Sequence, residues 1–235
     1  MRSLAAGLML ALFGVALPVA GRADPVQLYS RASLTSQTID WSDYGSPGTF
    51  LSTPVSMGFG HETVAIGSSA GIAEVRRQGT DFSGNFSPGD SLLSLPDGYK
   101  SDVFDLHFGG APVYGLGAQI EPVSGYAGAF IGLMKLYSAA NVLLGEVSVA
   151  GDATSAGDGS AVFLGASSSI PIAYVAFFVD EGNPFFPVEG DLAINQLSLQ
   201  EQVPEPASAW LLGPVALAFA GRFRRGRVPA AIARD

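Results

Sequence analysis

Gly67-Ser68-Ser69-Ala70-Gly71 has the GxSxG spacing of a nucleophile elbow, where a serine on a sharp strand-to-helix turn attacks an acyl carbon. It follows an apolar run from Thr63 to Ile66, as that motif requires. The chemistry also needs a histidine base and an acid delivered by later strands and helices. His107 is the sole histidine after Ser69, and no parallel βα pattern follows. With 30 glycines in the chain a chance match is unsurprising, so the segment reads as a turn and the protein as a non-enzyme. Glycoside hydrolysis would need two carboxylates flanking one bond. Residues 24 to 203 hold 19 acids, so some pair is always close and their number argues nothing. Zero cysteines and two histidines exclude a thiolate metal site and a disulfide framework.

Two binding chemistries fit the remaining residues better. Calcium takes several hard oxygens from carboxylates and loop carbonyls. Asp40 and Asp43 near the start of the domain, with Asp180, Glu181 and Asp191 around its last two strands, are the candidate ligands. The alternative is that these are solvated loop acids. A sugar needs an aromatic ring to stack on its apolar face and polar groups to fix its orientation. Trp41, the lone tryptophan of residues 24 to 203, lies in Asp40-Trp41-Ser42-Asp43-Tyr44 and could form such a platform with Tyr44; burial of Trp41 in a core is the competing expectation. Asp105 and His107 fall on one exposed strand face and read as a hydrogen-bonded surface pair.

The elements that would carry these residues are strands. The 235 residues include 30 Gly and 15 Pro, only 14% are charged, and helical periodicity is nearly absent. Period-2 alternation recurs instead: Val26 to Leu34, Phe104-Leu106-Phe108, Tyr114-Leu116-Ala118-Ile120, and residues 127 to 137, 142 to 149 and 161 to 165. Ile172 to Val179 is apolar on both faces and reads as a central strand. Gly71 to Gln78 is also expected to be a strand. Turn signals such as Pro96-Asp97-Gly98 and Gly157-Asp158-Gly159 separate the runs. Leu192 and Ile194 share one phase and Leu197 and Leu199 the other, so a bulge at about Asn195-Gln196 would return all four to the core. The Gly/Ser/Pro-rich stretches 42 to 60 and 79 to 101 read as surface loops. The sum is an all-β fold: a two-sheet antiparallel β-sandwich of jelly-roll type over residues 24 to 202.

Residues 1 to 23 have the anatomy of a cleaved signal helix: Arg2, an apolar stretch from Leu4 to Leu17, and small residues at Gly21 and Ala23. At the other end Val203-Pro204-Glu205-Pro206 is held extended by its two prolines. Ala207 to Gly221 is uncharged, and Arg222, Arg224, Arg225 and Arg227 follow as a stop to membrane transfer. The apolar run is long enough for a short transmembrane helix if the arginines snorkel. Signal peptide, Pro-Glu-Pro, short apolar run and arginine cluster, in that order, resemble the sorting tail of PEP-CTERM proteins. The resemblance covers about 25 residues, 203 to 227, and leaves 228 to 235 as a cytoplasmic extension.

That resemblance implies export by a Gram-negative bacterium and a transient inner-membrane anchor. It also implies recognition of Val203 to Pro206 by an exosortase and delivery to the cell surface or extracellular matrix. A structural or adhesive role in exopolysaccharide is the expected function. A lectin-like module with a structural calcium is the alternative, and a carbohydrate-active hydrolase stands third. Between 24 and 203 only five basic residues face the 19 acids, a net of about −14, which excludes a nucleic-acid binder that must neutralise phosphates.

Overall fold

The computed structural model describes residues 25–34, 37–59, 62–96, 103–123, 126–182 and 192–201. Within them the chain makes fifteen β-strands and two short 3-10 turns, and no α-helix. One sheet of nine strands contains β1 (Val26–Leu28), β2 (Gln37–Ile39), β3 (Thr49–Ser52), β6 (Ile72–Arg77), β7 (Ser91–Ser94), β9 (Val113–Pro122), β12 (Val162–Ile172), β14 (Leu192–Ile194) and β15 (Leu197–Gln200). Its order is β1-β12-β9-β14-β7-β6-β3, with β15 continuing β14 along β9 and carrying β2 on its far side. The second sheet runs β11 (Leu143–Ala153), β10 (Gly128–Tyr137), β13 (Tyr174–Asp180), β8 (Phe104–Gly110), β5 (Glu62–Ser68), β4 (Val55–Phe59). Every strand pairing is antiparallel, and the two sheets pack as a sandwich.

Alternation decides which side chains enter the core. Val64, Ile66, Phe104, Leu106, Val175 and Phe177 point inward from the six-stranded sheet. Val75, Leu93, Leu116, Ala118, Ile120 and Leu164 meet them from the nine-stranded sheet, all at most 1% exposed. The apolar run Ile172 to Val179 is not one strand. Ile172 closes β12 in one sheet and β13 begins at Tyr174 in the other, with Ala173 alone at the corner. Its N–H donates to the Tyr137 carbonyl and its carbonyl accepts from the Phe108 N–H, both at 2.8 Å, so the crossing leaves no backbone group unpaired. β13 itself is central, flanked by β10 and β8.

The bulge expected in the last strand is present. Ile194 pairs with Ile120 and Ser198 with Gly117, so four residues on one strand oppose three on β9. Leu192, Ile194, Leu197 and Leu199 are all fully buried as a result. Other expectations change. Residues 42–60 and 79–101 are not simply loops, since β3, β4 and β7 form within them, and β7 is buried along its whole length. The alternation from Val26 to Leu34 stops at Leu28, and Arg31–Ser33 is a 3-10 turn. The signal segment 1–23 and the sorting tail 203–227 lie outside the described residues. Among those described, no helix is long and apolar enough to cross a membrane.

The outer faces of the two sheets differ. The nine-stranded sheet is roofed by its own loops: Phe82 and Phe86 fold down onto Leu92, Ala161 and Ala193 as a second apolar cluster. Nearby Phe163 lies over the facing pair Gly117 and Gly165, where a Cβ on Gly117 would sit 2.5 Å from the ring. The Arg31 guanidinium covers that ring at 5.9 Å. The outer face of the six-stranded sheet carries a row of partly exposed aromatic and charged side chains.

Candidate functional site

On that face three side chains stand in line across three strands: His107 on β8, Tyr174 on β13 and Tyr137 on β10, each opposite the next in register. The His107 and Tyr174 rings stack with centroids 4.8 Å apart and planes 23° apart, and Tyr174 and Tyr137 stack at 4.3 Å and 6°. Those spacings match the distance between neighbouring strands, so the rings stand side by side as a wall. The Tyr174 hydroxyl donates to Asn141 Oδ1 at 2.5 Å; Asn141 sits in the β10–β11 turn with a left-handed φ of 58°.

Two residues along each strand, a second row crosses the sheet: Gly67, Asp105, Ala176, Lys135 and Glu146, again partner to partner. Gly67 and Ala176 are the low points of this row. With Phe178 beyond them they leave a groove of about 550 Å³ between the aromatic wall and Ser69, Val103 and Phe178. Asp105 is half-buried in the groove, and desolvation pushes its carboxyl above the usual range, partly offset by the nearby His107. No hydrogen bond to Asp105 is made among the described residues, so it and His107 share a face without forming the hydrogen-bonded pair expected. Lys135 is turned away to Glu146 at 3.6 Å and lies 5.1 Å over the Phe178 ring. Both faces of Tyr174 are taken by its neighbours, so the arrangement offers a wall of ring edges, a hydroxyl–amide pair and a carboxylate, apolar and polar contacts that can orient a polyhydroxylated ring.

The residues expected to bind sugar and calcium lie elsewhere. Trp41 is fully buried and its Nε1–H donates to the Asn195 carbonyl at 2.7 Å, so it presents no face to a ligand. Tyr44 is 8% exposed and packs on it at 5.7 Å. The cause is local: Asp40 caps the 3-10 turn Trp41–Tyr44, accepting the Ser42 N–H at 2.9 Å, and this swings Trp41 inward. The other Asp40 oxygen accepts from Gln196 Nε2 at 2.9 Å. Despite the desolvation of partial burial, these bonds hold the Asp40 carboxyl below its usual range. Asp180 is spent on the Gly182 N–H at 2.8 Å. Among the described residues no three His, Asp or Glu side chains gather to hold a metal ion. Asp40 and Asp43 are not brought to Asp180 and Glu181, while Asp191 and His61 lie outside those residues.

Ser69 does line the groove, but Ala65 is the residue opposite His107. Serine and histidine are therefore four residues, about 13 Å, apart along the strand. Ser69 Oγ accepts the Val103 N–H at 3.2 Å, and Ser68 Oγ holds the turn by accepting from Ala70. Sequence reasoning missed both tyrosines: Tyr137 ends the alternating run 127 to 137, and Tyr174 lies in a run that reads as apolar on both faces, so neither stands out as a surface aromatic. The signal was there: aromatic residues on the outward phase of β10 and β13, beside the Asp105–His107 face already marked as exposed.

No family model matches the chain, and no curated protein matches it. A solved structure of a DUF4465 family protein from Bacteroides caccae is similar over 75% of this chain and 100% of that one, with 11% identity and a TM-score of 0.35. Likeness at that level has no bearing on function.

Proposed function

We propose that this is an exported, non-catalytic β-sandwich of jelly-roll type. Its PEP-CTERM tail sorts it through the inner membrane to the cell surface or matrix, where it adheres to exopolysaccharide through the outer face of its six-stranded sheet. The carrying observation is the His107–Tyr174–Tyr137 stack beside the half-buried Asp105. Among the described residues this row of partly exposed rings stands outside the core, and its ring edges with the Tyr174 hydroxyl offer apolar and polar contacts to a pyranose. The tail motifs, in their sequence order, and the acidic, cysteine-free domain support the route and the setting. Ionic partners of the exosortase and membrane type engage the tail, not the sandwich.

Sedimentation of the exported protein with its producer's exopolysaccharide tests this. Saturable binding is expected, weakened about two- to tenfold by Tyr174→Ala, since one aromatic contact contributes about 0.5–1.5 kcal/mol beyond its buried area. Absence of saturable binding, or binding that survives loss of both Tyr174 and Tyr137, defeats the reading.

A further inference from the structure

The groove contains one carboxylate that His107 offsets only in part. Asp105 is drawn partly out of water between the aromatic wall and Ala176, and no lysine or arginine among the described residues pairs with it. The nearest cation by register is Lys135, one strand beyond Ala176, and its ammonium is committed to Glu146 and to the face of Phe178. His107, the other titratable group facing Asp105, has Tyr174 stacked on its ring. A carboxylate that is partly desolvated and unpaired costs stability, and a ligand cation would recover that cost.

The surroundings narrow the ligand further. Five basic residues against 19 acids between 24 and 203 give the domain a strongly negative field, which repels polyanions such as uronate-rich chains. The groove is open and crosses neighbouring strands at Asp105 and Ala176, so the ligand lies as a chain over the sheet rather than entering a deep pocket. The Tyr174 hydroxyl with Asn141 supplies a donor and acceptors at the far end of the wall.

We propose that this groove binds a polysaccharide carrying free amino sugars, its ammonium set on Asp105 and its pyranose ring against the exposed edges of Tyr174 and Tyr137. This rests on the glycan-binding reading above and specifies its chemistry. Calorimetric titration of the exported protein with four hexasaccharides separates the two: glucosamine, N-acetylglucosamine, glucose and galacturonate oligomers. The glucosamine oligomer is expected to bind at least tenfold more tightly than the glucose and acetylated ones, with the galacturonate oligomer not bound. Added salt narrows the difference. Asp105→Asn brings the ratio of glucosamine to glucose affinity to about one, without lowering the melting temperature, because it removes a desolvated charge. Equal affinity of the wild-type protein for glucosamine and glucose oligomers overturns the amino-sugar assignment and leaves glycan binding standing. A preference that survives Asp105→Asn also overturns it. Failure to bind any oligomer overturns both, and a lysine-rich peptide that binds where glucosamine oligomers do not reassigns the groove to a protein partner.

Discussion

The Glu121 side chain is 1% exposed, under the loop that carries Phe82 and Phe86. One of its oxygens accepts the Asn85 N–H at 2.7 Å, and the other makes no hydrogen bond among the described residues. Burial, with the nearby Asp158 adding to it, pushes its pKa up to about 7 from 4.5. Because the folded value is raised, the folded state holds the proton more tightly than the unfolded chain. Stability is then highest below about pH 4.5, for this group alone, and declines as pH rises to about 7. Glu121→Gln is expected to raise stability at pH 8 by on the order of 2 kcal/mol, with the gain disappearing at pH 4. Denaturant melts of both proteins at the two pH values check this. A gain that is equal at both places the effect in packing instead.

The bulge between β14 and β15 does more than restore alternation. It lifts Asn195 out of the ladder and makes it the hub of a buried polar network on the roofed face. Its Oδ1 accepts from Arg31 at 2.8 Å and from the Gln119 N–H at 2.9 Å, and its Nδ2 donates to Gln119 Oε1 at 2.5 Å and to Asp90 at 3.2 Å. Its carbonyl takes the Trp41 indole, and Arg31 reaches on to Ser198 Oγ at 2.7 Å. One residue thus ties β9, β15, the Trp41 turn and the Arg31 turn together. Asn195→Ala leaves several of these groups buried without partners. Denaturation should show a loss of about 2–4 kcal/mol, larger than its lost area explains. A loss under 1 kcal/mol would mean that water replaces the side chain and that the hub is not structural.

As a whole the molecule has one closed sheet face and one open one. The closed face is built by two loops and a glycine pair under Phe163; the open face bears the stacked rings and Asp105. On the proposed function such asymmetry is useful, because one side holds the fold while the other meets the polymer. Tail processing belongs to this scale too. The intact mass of protein released by the producing cells is expected to correspond to a chain starting at Asp24 and ending near Val203 to Pro206. A mass that includes Arg222 to Asp235 would rule out removal of the tail.

The strand pattern, the two-sheet class and the late bulge were legible in the residues, because period-2 alternation and proline or glycine placement act over a few neighbours. Asp105 and His107 could be put on one face by parity alone. Parity could not say which face would be covered. Gly115, Gly117, Gln119 and Glu121 look as solvent-facing in sequence as Asp105 and His107 do. The former are covered by separate pieces of chain: Glu121 by the loop that carries Phe82 and Phe86, Gly117 by Phe163, and Gly115 by Leu34 and Gln200. Trp41 reads in sequence as either a core residue or a platform, and a cap at Asp40 with a hydrogen bond from 154 residues away decides for the core. The aromatic wall exists only because strand register sets His107, Tyr174 and Tyr137 side by side, and register is decided by contacts between strands that no local pattern contains.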